Sequence, residues 1–445
     1  MQPRVLLTAT GSGCGKTTIT IALLKALKQR GLKVASFKCG PDYIDPMYHR
    51  ETLGIPSYNL DPFFCDQEGL KTVLSNGMKD CDIALLEGVM GYYDGIGTEG
   101  KASTWEVATQ TDTPAILIVN AKGMSNSVGA VIKGFLSYQK NHQICGVIFN
   151  QCSKGMYPLL STIAEKEGVV PLGYMPYKPE LSLESRHLGL LTANEVKDLS
   201  EKIEALGELA EECLSLDGIL GLAEKSGDIE TPVSPEERKN CNLRLAVAKD
   251  EAFCFLYQEN LEVLEKAGCE LIYFSPLFDV ALPEDCHGLY LPGGYPELYL
   301  EKLSQNTEMR KNMKAAIQEG MPTIAECGGF LYLHENLEGN PMVGVISGNA
   351  SKMEKLVRFG YGTMEGKTDS MLLKKGEQIR IHEFHYFDSE QNGNDMMITK
   401  ASNGKVYECA YATSSLYAGY PHLYFPANPS VADHFVQAMK EYKEK

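Results

Sequence analysis

The feature that most constrains the fold is a glycine-rich loop between a strand-like segment and a helical one. The apolar run Arg4–Ala9 leads into the loop TGSGCGKTT at residues 10–18, and the helical pattern Ile19–Lys28 follows. Small residues let backbone N–H groups close around phosphate oxygens, and the N-terminus of the next helix adds positive potential. The loop departs from the strict phosphate-binding pattern only in placing Thr10 where a glycine is usual, with Gly11 next to it. The sequence therefore predicts a nucleotide phosphate site after the first strand.

The loop residues have separate expected roles. Lys16 can reach the terminal phosphates, and the Thr17 hydroxyl can bind Mg²⁺. The residues expected to contact the nucleotide are Gly11, Gly13, Gly15, Lys16, Thr17 and Thr18. A glycine turn that merely joins a strand to a helix is the alternative, but the combination GKTT in this strand–loop–helix context favours phosphate binding.

Short apolar runs alternate with longer helical patterns through the first half of the chain. Beyond the first strand, buried strands are predicted at Lys33–Phe37, Ile83–Glu87, Ala115–Val119 and Gly146–Asn150. This alternation is typical of a parallel sheet with helices on both faces. The predicted fold class is therefore α/β, with a doubly wound N-terminal domain.

A second α/β pattern begins after a segment rich in charge and proline. We expect an N-terminal domain at 1–222, an exposed linker at 223–241 and a C-terminal domain at 242–445. Strands of the second domain are predicted at Leu243–Ala248, Glu270–Phe274, Gly288–Leu291 and Thr323–Ala325. Shorter segments at Gln378–Ile381 and Lys405–Tyr411 look like additional β-structure at the edge of that domain.

Acidic residues follow two of the N-terminal strands. The segment KCGPDYIDP contains Asp42 and Asp45, and Glu87 ends the strand before EGVMGYYDG. Ligands bind at the carboxyl ends of strands in open α/β sheets, so these carboxylates are expected to face the glycine loop. Carboxylates and a magnesium ion at the phosphates of ATP are what phosphoryl transfer requires. Thr17, Asp42 and Glu87 are the predicted metal ligands, although each acid alone is as consistent with a solvated loop charge.

The C-terminal half contains a candidate nucleophile. In PTIAECGGFL, Cys327 stands between an apolar strand and a predicted helix, which is the sharp turn that presents a nucleophile. The positive end of a helix favours a thiolate there. Upstream, Gly293 and Gly294 in LPGGYPE follow another strand, and their backbone N–H groups could form an oxyanion hole with that of Gly328. A buried packing cysteine is the alternative.

The nucleophile needs a base, and His422 in YPHLYF is the best candidate. His382 and His385 in HEFHY compete for this role. Their spacing is one residue short of the helical i, i+4 zinc motif, and they follow a strand-like run, so a zinc site is disfavoured.

The composition indicates which cellular compartment and which binding partners are expected. A formal net charge of −16 argues against nucleic-acid binding and means that an anionic substrate needs local positive charge or a metal ion. Thirteen cysteines without paired CxxC spacing indicate reduced thiols. No apolar run approaches the roughly 20 residues of a membrane span, and the N-terminus shows no secretion signal, so a cytoplasmic protein without membrane association is expected.

Taken in order along nearly the whole chain, these motifs resemble the cobyrinic acid a,c-diamide synthase family, which amidates two carboxylates of the corrin ring. The motifs that carry the resemblance are GSGCGKTT, CGPDYIDP, EGVMGYYDG, LPGGYPE, AECGGFLYL and HEFHY. It implies an N-terminal domain similar to dethiobiotin synthetase and a C-terminal domain similar to class I glutamine amidotransferases. It also implies ATP, L-glutamine and cobyrinic acid or a related tetrapyrrole as substrates and Mg²⁺ as cofactor, and leaves open a homodimer.

The resemblance implies a role for each matching residue. Lys16, Thr17 and Glu87 would serve ATP and Mg²⁺, Asp42, Tyr43, Asp45 and Asp94 would line the substrate and metal region, and Cys327 and His422 would form the glutaminase pair. Ordinary class I amidotransferases have a glutamate two residues after the histidine, where this chain has Tyr424. The family lacks that glutamate too, so a Cys–His dyad is expected.

Two rival functions share parts of this pattern. A nickel-sirohydrochlorin a,c-diamide synthase would use the same motifs on another tetrapyrrole. A P-loop switch ATPase fused to a non-catalytic amidotransferase-like module is a second alternative. The intact Cys327 with its glycine loops disfavours it, as does Gly11 in the place of the signature lysine of partition ATPases.

Overall fold

The computed structural model describes residues 2–181, 199–229 and 242–445. The chain divides into two compact units, which separate in sequence near residue 233. Of the predicted linker 223–241, residues 223–229 are described. Ser226 donates to the carbonyl oxygen of Gln2 at 3.2 Å, and Gly227 N–H to that of Asp112 at 3.0 Å. These residues therefore pack against the N-terminal unit, while 230–241 lie outside the described residues.

The N-terminal unit is built on a parallel sheet of seven strands in the order β3-β2-β4-β1-β5-β6-β7. The strands are β1 (Arg4–Ala9), β2 (Val34–Cys39), β3 (Ser57–Leu60), β4 (Ile83–Glu87), β5 (Ala115–Asn120), β6 (Ile144–Asn150) and β7 (Val170–Met175). The helices are α1 (Lys16–Gln29), α2 (Ile44–Leu53), α3 (Gln67–Gly77), α4 (Thr104–Gln110), α5 (Ser127–Tyr138), α6 (Tyr157–Lys166), α7 (Leu199–Cys213) and α8 (Leu216–Ala223). The predicted doubly wound α/β class is confirmed.

The centre of this sheet supports the glycine loop. Every residue of β1 is buried, and α1 covers the sheet with an inward face that includes Ile21 and Leu24. Helix α7 packs against α1. Burying one such aliphatic side chain contributes about 1.5–3 kcal/mol, so this packing stabilises the two elements that flank the loop.

Strand register places the candidate residue Glu87 beside the phosphate loop. Strand β4 lies between β1 and β2, and Glu87 stands opposite Leu7 on one side and Lys38 on the other. The carboxyl ends of the three strands therefore meet directly beside the loop that follows β1. No helix among the described residues is long and apolar enough to cross a bilayer.

The C-terminal unit contains three sheets. A six-stranded sheet has the order β20-β21-β11-β10-β8-β9, a four-stranded sheet β13-β12-β14-β17, and a five-stranded sheet β19-β18-β15-β16-β22. The strands are β8 (Leu243–Ala248), β9 (Cys269–Phe274), β10 (Gly288–Leu291), β11 (Thr323–Glu326), β12 (His334–Leu337), β13 (Asn340–Pro341), β14 (Ile346–Lys352), β15 (Arg358–Gly366), β16 (Gln378–His385), β17 (Phe387–Ser389), β18 (Met396–Lys400), β19 (Val406–Cys409), β20 (Tyr411–Ala412), β21 (Leu416–Gly419) and β22 (His422–Leu423). The helices are α9 (Gln258–Lys266), α10 (Leu300–Gln305), α11 (Thr307–Gln318), α12 (Gly328–Tyr332) and α13 (Ser430–Lys443).

The pairing of these strands places the glycine loop after β10 beside the turn that contains Cys327, and it positions the strand that carries His422. Strands β10 and β11 are parallel neighbours, so the glycine loop after β10 lies beside the turn after β11. Strand β21 pairs with β11 on the other side, placing Glu326 opposite Gly419. The short strand β22 pairs with β16 and places His422 opposite His382. The predicted edge strands thus form a sheet of their own, which carries the candidate base.

Candidate active sites

The phosphate loop has the backbone that its glycines predict. Gly13 and Gly15 adopt positive φ angles of 73° and 87°, which favour glycine. The Lys16 ammonium donates to the carbonyl oxygen of Gly11 at 3.1 Å and to that of Met90. The lysine is thereby held back across the loop, where it can meet the outer phosphates of a nucleotide.

A side chain at the end of β6 anchors the loop. The Asn150 amide donates to the carbonyl oxygen of Cys14 at 2.9 Å, and a Cβ at Gly15 would lie 2.2 Å from the amide nitrogen of Asn150. The sequence analysis did not identify Asn150, because only the order of strands in the sheet places β6 near the loop. Thr18, also expected to contact the nucleotide, lies in the first turn of α1.

Two carboxylates, Glu87 at the end of β4 and Asp45 at the start of α2, converge on Thr17. Its hydroxyl donates to Glu87 Oε1 at 2.7 Å and lies 3.5 Å from Asp45 Oδ2. The Lys38 ammonium binds Asp45 and lies 2.8 Å from Glu87 Oε1 and 3.9 Å from Asp42 Oδ2. The sequence analysis did not identify Lys38. It stands opposite Glu87 because β2 and β4 are neighbours in the sheet.

This cluster has fewer positive charges than carboxyl groups. Burial raises the pKa of Glu87, and burial followed by the charge of Asp45 raises the pKa of Asp42. For Asp45, burial acts in the same direction, but the neighbouring Lys38 outweighs it and lowers the pKa. One ammonium therefore serves two buried carboxyl groups, Glu87 and Asp45, and the partly exposed Asp42, so a further cation would stabilise the ionised forms.

The donor set fits a magnesium ion that retains water and phosphate ligands. Within the described residues, no group of three or more His, Cys, Asp or Glu side chains is arranged to hold a metal ion alone. Magnesium, however, is commonly held by one or two carboxylates together with phosphate oxygens. Glu87 Oε2 is buried without a hydrogen-bond partner, and the Thr17 hydroxyl is adjacent. Asp42, the third predicted ligand, accepts from the backbone N–H of Ile44 at 2.8 Å at the start of α2.

Two further predicted substrate residues lie in the surrounding loops. Tyr43 is buried and directly precedes α2. Asp94 Oδ2 accepts from the backbone N–H of Gly91 at 2.8 Å, which closes the turn after β4. Asp94 also acts electrostatically on Lys16. Both residues therefore belong to the loops at the same edge of the sheet, as expected.

In the C-terminal unit, Cys327 occupies a strained turn between β11 and α12. Its backbone has φ 45° and ψ −99°, a conformation that non-glycine residues rarely adopt. Its N–H donates to the carbonyl oxygen of Gly419 at 2.8 Å, and its own carbonyl accepts from Leu331 N–H at 2.9 Å. The predicted elbow is present. The helix after it has only five residues, so the backbone turn, more than a helix dipole, positions the sulfur.

The glycines beside Cys327 allow two loops to pack in direct contact. A Cβ at Gly328 would lie 2.8 Å from the backbone nitrogen of Gly294. A Cβ at Gly329 would lie 2.2 Å from the carbonyl oxygen of Leu291, and Gly329 N–H donates to Pro292 at 3.0 Å. The backbone amides predicted to form the oxyanion hole are therefore adjacent.

His422 lies against this turn. Its imidazole is hydrogen-bonded to the Cys327 thiol, and it is buried with 3% of its surface exposed. Burial alone would lower the pKa of His422, but the Cys327 sulfur and then Glu326 raise it to about 10. A Cβ at Gly293 would lie 2.6 Å from His422 Cε1, so the glycine loop supports the imidazole ring. The predicted pair is thus brought together.

A carboxylate that the sequence analysis did not identify accompanies this pair. Glu326 Oε2 lies 3.6 Å from His422 Nδ1, and Glu326 is almost completely buried. Burial raises the pKa of Glu326, whereas the contact with His422 opposes that rise. The sequence places Glu326 directly before the nucleophile, but its contact with His422 depends on the position of β22 in the fold.

The competing histidines have other roles. Burial lowers the pKa of His382 to about 3, and that of His385 to about 4. His385 Nδ1 donates to the carbonyl oxygen of Phe387 at 2.6 Å, and its ring stacks on that of Tyr420 with centroids 3.7 Å apart. Both histidines are therefore neutral neighbours of the site, and His422 is the ring that contacts the sulfur.

Comparisons with known proteins find matches for both units of the chain. Residues 5–191 match the family model described as a CobQ/CobB/MinD/ParA nucleotide binding domain, and residues 244–430 match that of a CobB/CobQ-like glutamine amidotransferase domain. The chain is 38% identical to the cobyrinate a,c-diamide synthase of Priestia megaterium, over 99% of this chain and 98% of the relative. It is also 38% identical to the cobyrinate a,c-diamide synthase of Thermoplasma volcanium, over 100% of this chain and 98% of the relative. The identity to that of Clostridium acetobutylicum is 38% as well, over 97% of this chain and 99% of the relative.

A phosphate-loop unit followed by a cysteine amidotransferase unit defines a glutamine-dependent, amide-forming ligase. The relatives that match over nearly their whole length identify the family within this class of ligases. The chain belongs to the cobyrinate a,c-diamide synthase family.

A methyl group at Gly293 tests the support of the imidazole. In Gly293→Ala the new Cβ must displace His422, and a misplacement of about 1 Å costs about 10²-fold in rate. We expect glutamine hydrolysis, measured as glutamate release, to fall by roughly 10²-fold. Amidation driven by free ammonia should persist.

Gly288→Ala is the matched control. This glycine begins β10, whose far end leads to Gly293, and its added Cβ would meet the flexible side chain of Met439 at 2.9 Å. Glutamate release close to wild type is expected. An equal loss in both variants would mean that general disruption of the strand, and not displacement of His422, causes the defect.

Proposed function

We propose that this protein uses ATP and glutamine to convert the a and c acetate carboxylates of cobyrinic acid into amides, through acyl phosphate intermediates. The observation that carries the proposal is the strained Cys327 hydrogen-bonded to His422 beside two glycine loops, in a chain that also contains a phosphate loop. The relatives matched over their full length are named for the same reaction. Magnesium is the proposed cofactor.

The C-terminal unit releases ammonia from glutamine. The Cys327 sulfur attacks the side-chain amide carbon, and the backbone amides of the adjacent glycine loops stabilise the oxyanion. His422 gives its proton to the departing ammonia, which leaves a thioester on the sulfur. Water then hydrolyses the thioester, with His422 taking a proton from it, and glutamate is released.

The N-terminal unit activates the carboxylate. Hydroxide is a poor leaving group, so a substrate carboxylate oxygen first takes the γ-phosphoryl group of ATP, and ADP leaves. Ammonia then displaces phosphate from the acyl phosphate. Lys16 stabilises the charge on the phosphates, and bound Mg²⁺, held by Thr17 and Glu87 with Asp42 or Asp45 near, would supply further positive charge at the transferred group.

Lys38 has a supporting place in this scheme. The chain has a net charge of −16, so an anionic tetrapyrrole and ATP depend on local positive charge. Lys38 partly neutralises Glu87 and Asp45, which reduces their repulsion of the incoming phosphates. Lys16 and Lys38 together make this edge of the sheet suitable for anions.

Replacing the nucleophile should separate the two half-reactions. Cys327→Ala is expected to reduce glutamine-driven amidation by roughly 10⁴-fold or more, because no thioester can form. Ammonia-driven amidation should stay near wild type, with product measured by chromatography. Cys286→Ala is the matched control, because both cysteines are 8% exposed. Loss of the ammonia-driven reaction in Cys327→Ala would contradict the division of labour.

Replacing the phosphate-loop lysine should affect both nitrogen donors. In Lys16→Ala, amidation from glutamine and from ammonia is expected to fall together, by roughly 10²-fold or more, since charge stabilisation at the phosphates is lost. Lys25→Ala is the control on the same helix, because Lys25 pairs with Glu204 near the surface. Full activity of Lys16→Ala with either donor would refute the phosphate assignment.

The choice of tetrapyrrole is tested by the product. The protein is incubated with ATP, Mg²⁺ and amide-¹⁵N glutamine, in parallel with cobyrinic acid and with nickel-sirohydrochlorin. Mass spectrometry should detect two labelled amides on cobyrinic acid. Diamide formation on nickel-sirohydrochlorin alone would replace the proposed substrate, and no amide on either would refute the proposed chemistry.

A further inference from the structure

The Glu326 carboxylate and the Cys327 sulfur both contact His422, and Glu326 Oε2 lies 3.6 Å from Nδ1 of the ring. We propose that Glu326 is the residue that orients His422, so that the strand carrying the nucleophile also supplies the carboxylate of a Cys–His–Glu triad. This inference rests on the proposed glutamine hydrolysis. It replaces the expected dyad with a triad whose acid precedes the nucleophile.

Each oxygen of the Glu326 carboxylate has its own partners. Oε1 accepts from the Tyr290 hydroxyl at 3.2 Å and lies 3.4 Å from the backbone nitrogen of Leu423. Oε2 lies 3.6 Å from His422 Nδ1. Tyr290 on β10 and Leu423 on β22 therefore fix the carboxylate from two strands and leave its second oxygen facing the imidazole.

The strained backbone explains how two successive residues contact one ring. In a regular strand, neighbouring side chains point to opposite faces of the sheet. The positive φ of Cys327 ends that alternation immediately after Glu326. As a result the sulfur and the carboxylate both reach His422. The elbow thus positions an acid as well as a nucleophile.

Tyr424, which stands at the usual position of the acid, is placed for packing. Its ring makes an edge contact with that of Tyr257, with centroids 5.1 Å apart, and it is almost fully buried. A phenol is also neutral near pH 7 and cannot stabilise an imidazolium as a carboxylate does.

The other titratable groups around His422 do not replace Glu326. The groups that act on it or are acted on by it are Cys327, Glu326, His382, Glu383 and His385. Burial keeps His382 and His385 neutral, as their lowered pKa values indicate. The Glu383 carboxylate accepts from the Tyr407 hydroxyl, and burial raises its pKa. Among these groups, the contact at Nδ1 is made by Glu326.

This contact fixes the tautomer of the base. With a carboxylate at Nδ1, the neutral ring carries its proton there, and Nε2 is left to accept the proton of the thiol. Once Nε2 is protonated, the carboxylate stabilises the imidazolium until that proton passes to ammonia. Glu326 gains and loses no proton and touches no substrate atom, so it is a positioning residue.

Glu326→Gln is the direct test, since it preserves the shape of the side chain and removes its charge. The amide can donate to Nδ1, which favours the wrong tautomer, so kcat for glutamine hydrolysis should fall about 10²- to 10⁴-fold with little change in KM. The alkaline limb of the pH profile should move to lower pH by about one to three pH units, because the pKa of His422 falls when the carboxylate is removed. Ammonia-driven amidation should persist and reports that the chain is folded.

Three further variants sharpen the test. Glu326→Asp should recover part of the rate and of the alkaline limb, because it restores the charge. Tyr290→Phe removes one hydrogen bond to the carboxylate and should give a smaller change in the same direction. Glu259→Gln, a matched replacement of another buried glutamate, should leave the pH profile unchanged.

The results distinguish a failure of the proposed role of Glu326 from a failure of the proposed glutamine hydrolysis. If the wild-type protein hydrolyses glutamine and Glu326→Gln does so with the same kcat and pH profile, Glu326 does not orient His422. If Glu326→Gln does not fold, an unaltered pH profile in Tyr290→Phe overturns the inference instead. If the wild-type protein releases no glutamate, the proposed function itself has failed.

Discussion

The backbone turn at Cys327 is the constraint on which the arrangement of the C-terminal unit depends. A positive φ at a non-glycine residue costs about 1–3 kcal/mol and persists only when surrounding contacts enforce it. Here those contacts are the hydrogen bond to Gly419 and the close packing of glycines from two loops. The strain has a chemical use, because it directs the sulfur and the preceding carboxylate toward the same histidine.

In the N-terminal unit the candidate site also lies at the carboxyl edge of a parallel sheet, but there the distribution of charge is the constraint. Its ligand is anionic, yet the end of β4 and the segment after β2 place three carboxyl groups at the edge where the phosphate loop lies. Lys38 resolves this conflict by contacting all three, and the Thr17 hydroxyl joins the cluster from the loop. The arrangement suits a site that binds nucleotide together with a cation, since neither charge alone would be balanced there.

Much of this architecture could be predicted from the sequence because its signals are local. The phosphate loop follows β1, whose bounds were predicted correctly as Arg4–Ala9, and the elbow at Cys327 follows a predicted strand. Glu326, Lys38 and Asn150 could not be assigned, because their contacts depend on strands that are distant in sequence and adjacent in the sheet. The distinction between His422 and His382 also depends on strand pairing, because the two histidines stand opposite each other on β22 and β16. Their difference in pKa direction arises from the sulfur and carboxylate that only one of them contacts.

The proposed chemistry requires a covalent bond between the Cys327 sulfur and glutamine, and a phosphate-loop unit that works independently of that bond. A diazoketone analogue of glutamine, which alkylates the sulfur that attacks it, tests both requirements. After incubation, peptide mass spectrometry should place the label on Cys327 among all thirteen cysteines. The labelled protein should then amidate its substrate with ammonia and not with glutamine. A label on another residue, or unimpaired use of glutamine by protein fully labelled at Cys327, would show that Cys327 is not the nucleophile.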